Sequence, residues 1–169
     1  MLEDAAQAAR RSAARSAGLV GILAVSYAML PLRGERWWLG TLIGAALLGA
    51  TIPVTIRRVR AVLGSHRPVL EASEALVLLL TMLVLGFAAI YFAMDRNQGQ
   101  FTGLNTRIDA VYFTVTTLST VGFGDITAIS QAARLVVTVQ IVFNVVFVGV
   151  AVRVFVGAAQ RAGHGSPDA

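Results

Sequence analysis

Charged residues divide the sequence into long uncharged windows. Four of these windows have 17 to 20 residues each: Ser16–Leu32, Trp37–Ile56, Ala75–Met94 and Leu135–Val152. A hydrocarbon core about 30 Å thick needs ~20 helical residues to cross it. The pattern therefore predicts an all-α membrane protein with four transmembrane helices.

A fifth uncharged window, Ala110–Gly124, has only 15 residues and ends in a glycine-containing run. It is too short to span a membrane, and a segment that enters and leaves on the same side can supply irregular backbone at that depth. We expect a pore helix over Ile108–Leu118, capped by Asn105 or Thr106, and then a non-helical strand. The window predicts a re-entrant segment between the third and fourth spans.

Composition supports the membrane class and argues against most enzymes. The chain is 56% hydrophobic and 14% charged, less charge than a water-facing surface normally carries. It has no Cys, and its two His residues, His66 and His164, lie in separate segments, so thiolate, zinc and His-centred catalytic sites have few candidates. We predict no enzymatic activity, no cofactor and no soluble substrate.

All 14 basic residues are Arg, and they flank the apolar windows. They form no basic stripe with interleaved aromatics, so we predict no nucleic-acid partner. Nine of them fall on one side of the four-span arrangement and five on the other, which places both termini in the cytoplasm of a plasma-membrane protein. A cleaved signal peptide over the first window stays open as an alternative.

The same pattern divides the chain into four segments. They are a cytoplasmic N-terminal segment (1–15), two helices with a basic linker (16–73), a pore module (74–159) and a disordered cytoplasmic tail (160–169). In the second helix, Gly40, Gly44 and Gly49 form a small-residue face that either packs on a neighbouring helix or reflects the abundance of Gly in membrane helices.

The stretch Thr117–Asp125 carries the chemistry. A potassium ion leaves water only if oxygen ligands replace its hydration shell, and stacked rings of backbone carbonyls do this. Gly122 and Gly124 tolerate the unusual backbone angles that such a strand demands. We expect Asp125 to attract cations at the outer mouth. The predicted K⁺ ligands are Thr120, Val121, Gly122 and Phe123, with the Thr120 hydroxyl at the inner end, Val121 and Phe123 side chains turned from the axis, and Gly124 completing the filter.

This stretch resembles the signature of the pore-loop potassium channels, Thr-x-x-Thr-x-Gly-Tyr/Phe-Gly-Asp. The matching residues are Thr117, Thr120, Gly122, Phe123, Gly124 and Asp125. The resemblance covers about Glu74–Ala159 and implies outer helix, pore helix, filter and inner helix. It implies a homotetramer in membrane lipid that conducts K⁺ passively, here with two extra N-terminal helices. A weakly selective cation channel and a non-conducting helical scaffold or sensor are the alternatives.

Four residues depart from the commoner family pattern. Phe123 replaces Tyr, an exchange seen in some members. Tyr112 and Phe113 stand where many relatives carry two Trp, and the Tyr112 hydroxyl can still reach Asp125. Thr116 stands where some bacterial relatives carry a Glu behind the filter. We therefore expect Tyr112, Thr116 and Thr117 to support the filter from the pore helix.

The inner helix supplies candidates for the cavity and the gate. Gln140, Asn144 and Val148 recur at every fourth position and share a helix face. We expect Asn144 to line an aqueous cavity or to bond a neighbouring helix. Asn144 lies near the glycine hinge of many relatives, so either the bend moves to Gly149 or the helix does not open by hinging. The sequence does not indicate which stimulus gates the channel.

Overall fold

The structure is a computed structural model that describes residues 2–29, 37–64 and 68–164. It is predominantly helical, as predicted. Its elements in chain order are α1 (Leu2–Met29), α2 (Trp37–Gly64), α3 (Pro68–Gln98), β1 (Phe101–Thr102), α4 (Arg107–Leu118), β2 (Thr127–Ala128) and α5 (Gln131–His164). The two short strands, which the sequence pattern did not predict, pair antiparallel, with Phe101 opposite Ala128 and Thr102 opposite Thr127.

Three of the described helices are long and apolar enough to cross a membrane. The stretches are Trp38–Val62 in α2, Val69–Asp95 in α3 and Gln131–Val154 in α5, with 25, 27 and 24 residues. They contain the third and fourth predicted windows and all of the second except its first residue, Trp37. In α1 the apolar stretch within the described residues is Ala17–Met29, which has 13 residues. Residues 30–32 of the first window lie outside the described part.

The ends of the chain differ in part from the predicted segments. Residues 2–15 of the predicted N-terminal segment and residues 16–29 of the first window belong to one continuous helix, α1. At the other end, α5 continues to His164. Residues 160–164 are thus helical here, whereas the sequence predicted a disordered tail from 160; residues 165–169 lie outside the described part.

Helices α2 and α3 cross closely at two glycines. A Cβ on Gly44 would lie 2.7 Å from the Gly86 carbonyl oxygen and 2.6 Å from Ile90 Cγ1, and a Cβ on Gly86 would lie 2.9 Å from Leu48 Cδ2. Only residues without a side chain let the two backbones approach this far. The packing role predicted for Gly44 is confirmed, whereas Gly49 has no neighbour within 4 Å of a Cβ placed there.

The central helix is α3, which packs against α1, α2, α4 and α5. Its buried aromatic rings meet those of the segments around it: Tyr91 lies 5.3 Å from Phe101 and 5.2 Å from Phe113, ring centroid to ring centroid, both edge to face. Phe101 and Phe113 contact each other at 5.5 Å. This cluster joins the loop after α3 to α4, and so holds α4 against the long helices.

The C-terminal end of α1 is attached to the start of α4. The Arg107 guanidinium donates to the backbone carbonyls of Tyr27 at 2.6 Å and Ala28 at 2.5 Å. In return, the Tyr27 hydroxyl donates to the Arg107 carbonyl at 3.1 Å. The last carbonyls of a helix have no partners within it, so Arg107 satisfies two of them and complements the helix dipole.

Candidate ion-conduction site

The short helix α4 begins at a complete capping box. The Asp109 amide donates to the Thr106 hydroxyl at 3.1 Å, and the Thr106 amide donates to the Asp109 carboxylate at 2.7 Å. Thr106 is therefore the N-cap, which decides between the two capping residues considered from the sequence. The reciprocal bonds satisfy two backbone donors and define where the helix starts.

The same bonds stabilise the carboxylate form of Asp109. Desolvation raises its pKa, but hydrogen bonds from the Thr106 and Asn105 amides and from the Thr106 hydroxyl outweigh it, so the pKa of Asp109 falls below its ordinary value. The hydrogen bond from the Asn105 backbone amide to the Asp109 carboxylate measures 2.9 Å. A negative charge in the first turn also suits the positive end of the helix dipole.

The other end of α4 holds the strand that follows it. The Val121 and Gly122 amides donate to the Thr116 carbonyl at 3.0 and 3.4 Å, and the Thr120 amide donates to the Thr117 carbonyl at 3.2 Å. These carbonyls belong to the last turn of the helix, where no helical partner is available. The chain therefore leaves α4 in a defined direction.

The backbone of Thr120–Gly124 alternates in handedness. Thr120, Gly122 and Gly124 have φ of 59°, 55° and 80°, whereas Val121 and Phe123 between them do not lie in the left-handed region. Successive residues of alternating hand turn their amides to one side and their carbonyls to the other. The strand can therefore present a row of carbonyl oxygens in one direction.

Tyr112 of α4 supports this strand from behind. Its ring stacks on Phe123 with centroids 6.4 Å apart and planes inclined by 4°. Its hydroxyl hydrogen-bonds Asp125, and this bond is the main reason why the pKa of Tyr112 is raised. The sequence analysis expected the Tyr112 hydroxyl to reach Asp125 and the Phe123 side chain to turn towards the supporting helix, and Tyr112 contacts both residues in the single chain.

Thr116 and Thr117 also lie behind the strand. Thr116 is buried, and its hydroxyl donates to the Phe113 carbonyl at 3.0 Å, while Thr117 is half-buried. The strand itself is open on its other side: all residues from Thr120 to Asp125 are exposed in a single chain, including 70% of Phe123. One chain thus supports the strand on one face only.

Gly103, in the loop before α4, passes directly over Asp125. It has a φ of 83°, and a Cβ there would lie 2.6 Å from the Asp125 carbonyl oxygen. The pairing of β1 with β2 holds this loop beside the segment that follows Asp125. The sequence analysis missed Gly103, although an isolated Gly in the segment between two predicted helices is a signal of a turn with positive φ.

Gln140 lies in a different place from the one expected. Its side chain is fully buried; it accepts a hydrogen bond from the Tyr91 hydroxyl at 2.5 Å and donates one to the Thr114 carbonyl at 3.1 Å. Residues of α3, α4 and α5 are thus joined by one polar chain. Gln140 does not face a cavity in this structure.

Asn144 is also buried within the chain, with 5% of its surface exposed, and both amide atoms lack a hydrogen-bond partner in the described part of the chain. Val148 and Gly149 are exposed. The shared face predicted for Gln140, Asn144 and Val148 is therefore divided. Its first two members turn towards the chain's own core, while Val148 and Gly149 stay available to a pore or a neighbouring subunit.

Comparison with known proteins places this arrangement in a family. Residues 78–161, which include most of α3, all of α4 and nearly all of α5, match the family described as "Ion channel". No solved structure gives a significant match.

Three curated relatives are similar over part of their length. The "Two pore potassium channel b" of Oryza sativa subsp. japonica is 43% identical over 73 residues, 43% of this chain and 20% of that protein. The "Hyperpolarization-activated voltage-gated potassium channel" of Methanocaldococcus jannaschii is 35% identical over 74 residues, 44% of this chain and 35% of that protein. The "Two-pore potassium channel 4" of Arabidopsis thaliana is 37% identical over 73 residues, 43% of this chain and 25% of that protein.

The family match and these relatives define the class: an integral membrane ion channel rather than an enzyme. The chain is a member of the pore-loop potassium channel superfamily.

Proposed function

We propose that the chain is one subunit of a homotetrameric, potassium-selective channel that conducts K⁺ passively. The observation that carries this proposal is the alternating backbone of Thr120–Gly124, which can turn successive carbonyls to one side. Four such strands around one axis would form rings of oxygen ligands for dehydrated K⁺. Carbonyls of Thr120, Val121, Gly122 and Phe123 would bind the ion, and the Thr120 hydroxyl would add the innermost ring.

The exposure of the strand supports assembly around a shared axis. Asp125, at the end of the strand beside Tyr112, would lie at the outer mouth and attract cations. All three relatives carry the words potassium channel in their names. Because the chain covers between 20% and 35% of their lengths, selectivity and tetrameric assembly are part of the proposal.

We also propose how the chain lies in the membrane. In this proposal α1 also spans the membrane, which brings the number of spanning helices to four. Both termini are cytoplasmic, and the membrane is the plasma membrane. Arg57, Arg58 and Arg60 at the end of α2 then lie inside, as the positive-inside rule requires. The contact between Arg107 and the end of α1 joins two segments on the outer side. The pore module 74–159 is flanked by the two extra helices.

The direct test is ion flux into liposomes that contain the purified full chain. We expect flux of K⁺ and Rb⁺, no flux of Na⁺, and block by Ba²⁺. Flux of Na⁺ at a comparable rate would replace the proposal with a weakly selective cation channel. Absence of all flux from a protein that is correctly folded and tetrameric would contradict conduction.

A glycine pair in the chain offers a matched test of the filter assignment. Gly122 has a φ of 55° and Gly99 a φ of 56°, and a Cβ at either position meets no atom within 4 Å. Replacement by Ala imposes a similar backbone strain, about 1–2 kcal/mol, at both positions. Gly122→Ala should abolish Rb⁺ flux while the protein still assembles, whereas Gly99→Ala should keep it. Equal Rb⁺ flux from the two variants would show that Gly122 does not lie in the ion path.

A further inference from the structure

A cavity of about 360 Å³ lies between α2, α3 and α5, at the end of the bundle that carries the α2 arginines. Its walls come from the last turns of the α2 span, the first turns of the α3 span and the far half of the α5 span. Ala75, Phe147 and Val150 are among the residues that line it. The volume is in the range of sites that hold small organic ligands.

The walls of this cavity are apolar except at one point. Two threonines line it, but the Thr51 hydroxyl donates to the Leu48 carbonyl at 2.5 Å and the Thr55 hydroxyl to the Thr51 carbonyl at 2.6 Å. Their polar atoms are therefore used within α2. Arg58 is the one charged residue among the described residues that line the cavity. The site combines a hydrocarbon-lined volume with a single cation.

The depth of Arg58 matches the position of a lipid headgroup. Trp38 and Arg58 are 20 residues apart on α2, which at 1.5 Å per residue is ~30 Å along the helix. This is the thickness of the hydrocarbon core. With Trp38 at one interface, Arg58 lies at the other, where the phosphates of that leaflet are.

We propose that this cavity binds an acyl chain of an anionic phospholipid from the inner leaflet, with Arg58 at the lipid phosphate. Charge complementarity favours this occupant over a second copy of the chain. A neighbouring span would fill the cavity with one of the uncharged windows Trp37–Ile56, Ala75–Met94 or Leu135–Val152, and of the carboxylates that flank them at this end only Glu71 and Glu74, before the second of these windows, could reach Arg58. A phospholipid supplies both the hydrocarbon and the negative charge.

The proposal concerns lipid binding and does not depend on conduction. Its test is retention of lipid by the full chain in detergent, measured by native mass spectrometry with phosphatidylglycerol or phosphatidylcholine added. The wild-type protein should bind phosphatidylglycerol more tightly than phosphatidylcholine. Arg58→Gln should weaken phosphatidylglycerol binding about fivefold, the effect of one basic residue near a membrane surface, and leave phosphatidylcholine binding unchanged. Arg60→Gln, two residues further along α2 and outside the lining, is the matched control and should change neither.

A second pair of variants tests the cavity itself. Ala151→Leu places three more carbons in the lining and should reduce retention of both lipids, provided that its unfolding temperature and oligomeric mass match the wild type. Ala132→Leu makes the same change at an exposed position near the other end of α5 and should retain both lipids.

Two results would overturn the proposal. If the wild type and Arg58→Gln each retained phosphatidylglycerol and phosphatidylcholine equally well, Arg58 would not contact the lipid phosphate. The chain has no Cys, so Val150→Cys gives one thiol in each copy. A disulfide between copies of that variant, with no lipid retained by the wild type, would assign the cavity to a second copy of the chain.

Discussion

At the scale of single residues, Thr120 shows how the strand after α4 is held. Its φ of 59° is unfavourable for a β-branched residue, which rarely enters the left-handed region. Such strain persists only where the surroundings over-determine the conformation. Here the Thr117 carbonyl binds the Thr120 amide and the Thr116 carbonyl binds the next two amides, so the end of α4 imposes the backbone that the carbonyl row requires.

Tyr91 is the residue whose polar contact we expect to matter most for stability. Tyr91→Phe removes the donor to Gln140 Oε1, which then stays buried without a partner at a cost of about 1–3 kcal/mol. The unfolding temperature in detergent, followed by circular dichroism, should fall. Thr81→Val is the control, because the Thr81 hydroxyl bonds only the Val77 carbonyl of its own helix. An unchanged unfolding temperature for Tyr91→Phe would show that the hydroxyl adds no net stability.

At the scale of elements, α4 is short but is held at three places. The capping box defines its start, its C-terminal carbonyls bind the following strand, and Gln140 of α5 donates to its Thr114 carbonyl. An isolated helix of 12 residues is marginal in water. Tertiary contacts therefore position α4, and through it the strand.

Arg107 connects α4 to α1, and its loss should affect the two helices differently. Arg107→Gln removes the charge-assisted bonds to the Tyr27 and Ala28 carbonyls, each worth about 1.5–3 kcal/mol. Hydrogen exchange at the last turn of α1 should become at least about tenfold faster. Amides of α4 should keep their protection because Thr106 and Asp109 still cap it.

The control for this prediction is Arg134→Gln. Arg134 donates from Nε to the Ala128 carbonyl, close to it in the chain, and does not contact α1. Its exchange pattern in α1 should match the wild type. If Arg107→Gln leaves the end of α1 as protected as before, the two helices are held together by packing alone.

At the scale of the whole molecule, the exposed surfaces of one chain agree with the proposed assembly. The strand Thr120–Asp125 is exposed throughout, and α5 carries a long exposed valine face. Its members include Val142, Val145, Val148 and Val152, from 51% to 70% exposed. An exposed apolar face beside an open row of carbonyls suits a pore shared between subunits, with the valines facing the pore or a neighbouring subunit.

The proposed assembly predicts a mass that can be measured directly. Native mass spectrometry of the detergent-solubilised protein should give four times the 17.8 kDa of one chain. Amine cross-linkers are unsuitable because the chain has no Lys. A mass of one or two chains, in a detergent that preserves the unfolding temperature, would contradict the tetramer.

Much of the fold and site follows from short-range patterns. The spans of α2, α3 and α5, the short α4 after a capping residue, and the contact of Tyr112 with Asp125 were all predicted from spacing and residue type or from the resemblance. The face of α5 that packs against the rest of the chain was not predicted. Helical periodicity places Gln140 and Asn144 on one face but does not say whether that face meets a cavity or another helix.

The sequence by itself determined which segments are apolar enough to enter a membrane and that Gly122 and Gly124 can adopt positive φ, because length, hydropathy and the lack of a side chain act locally. The tertiary structure decided which polar groups pair across helices. Gln140 meets Tyr91 and Thr114, Arg107 meets the end of α1, and Gly103 meets Asp125. These partners lie between 22 and 80 residues apart, and they meet because α3 packs against its neighbours and β1 pairs with β2.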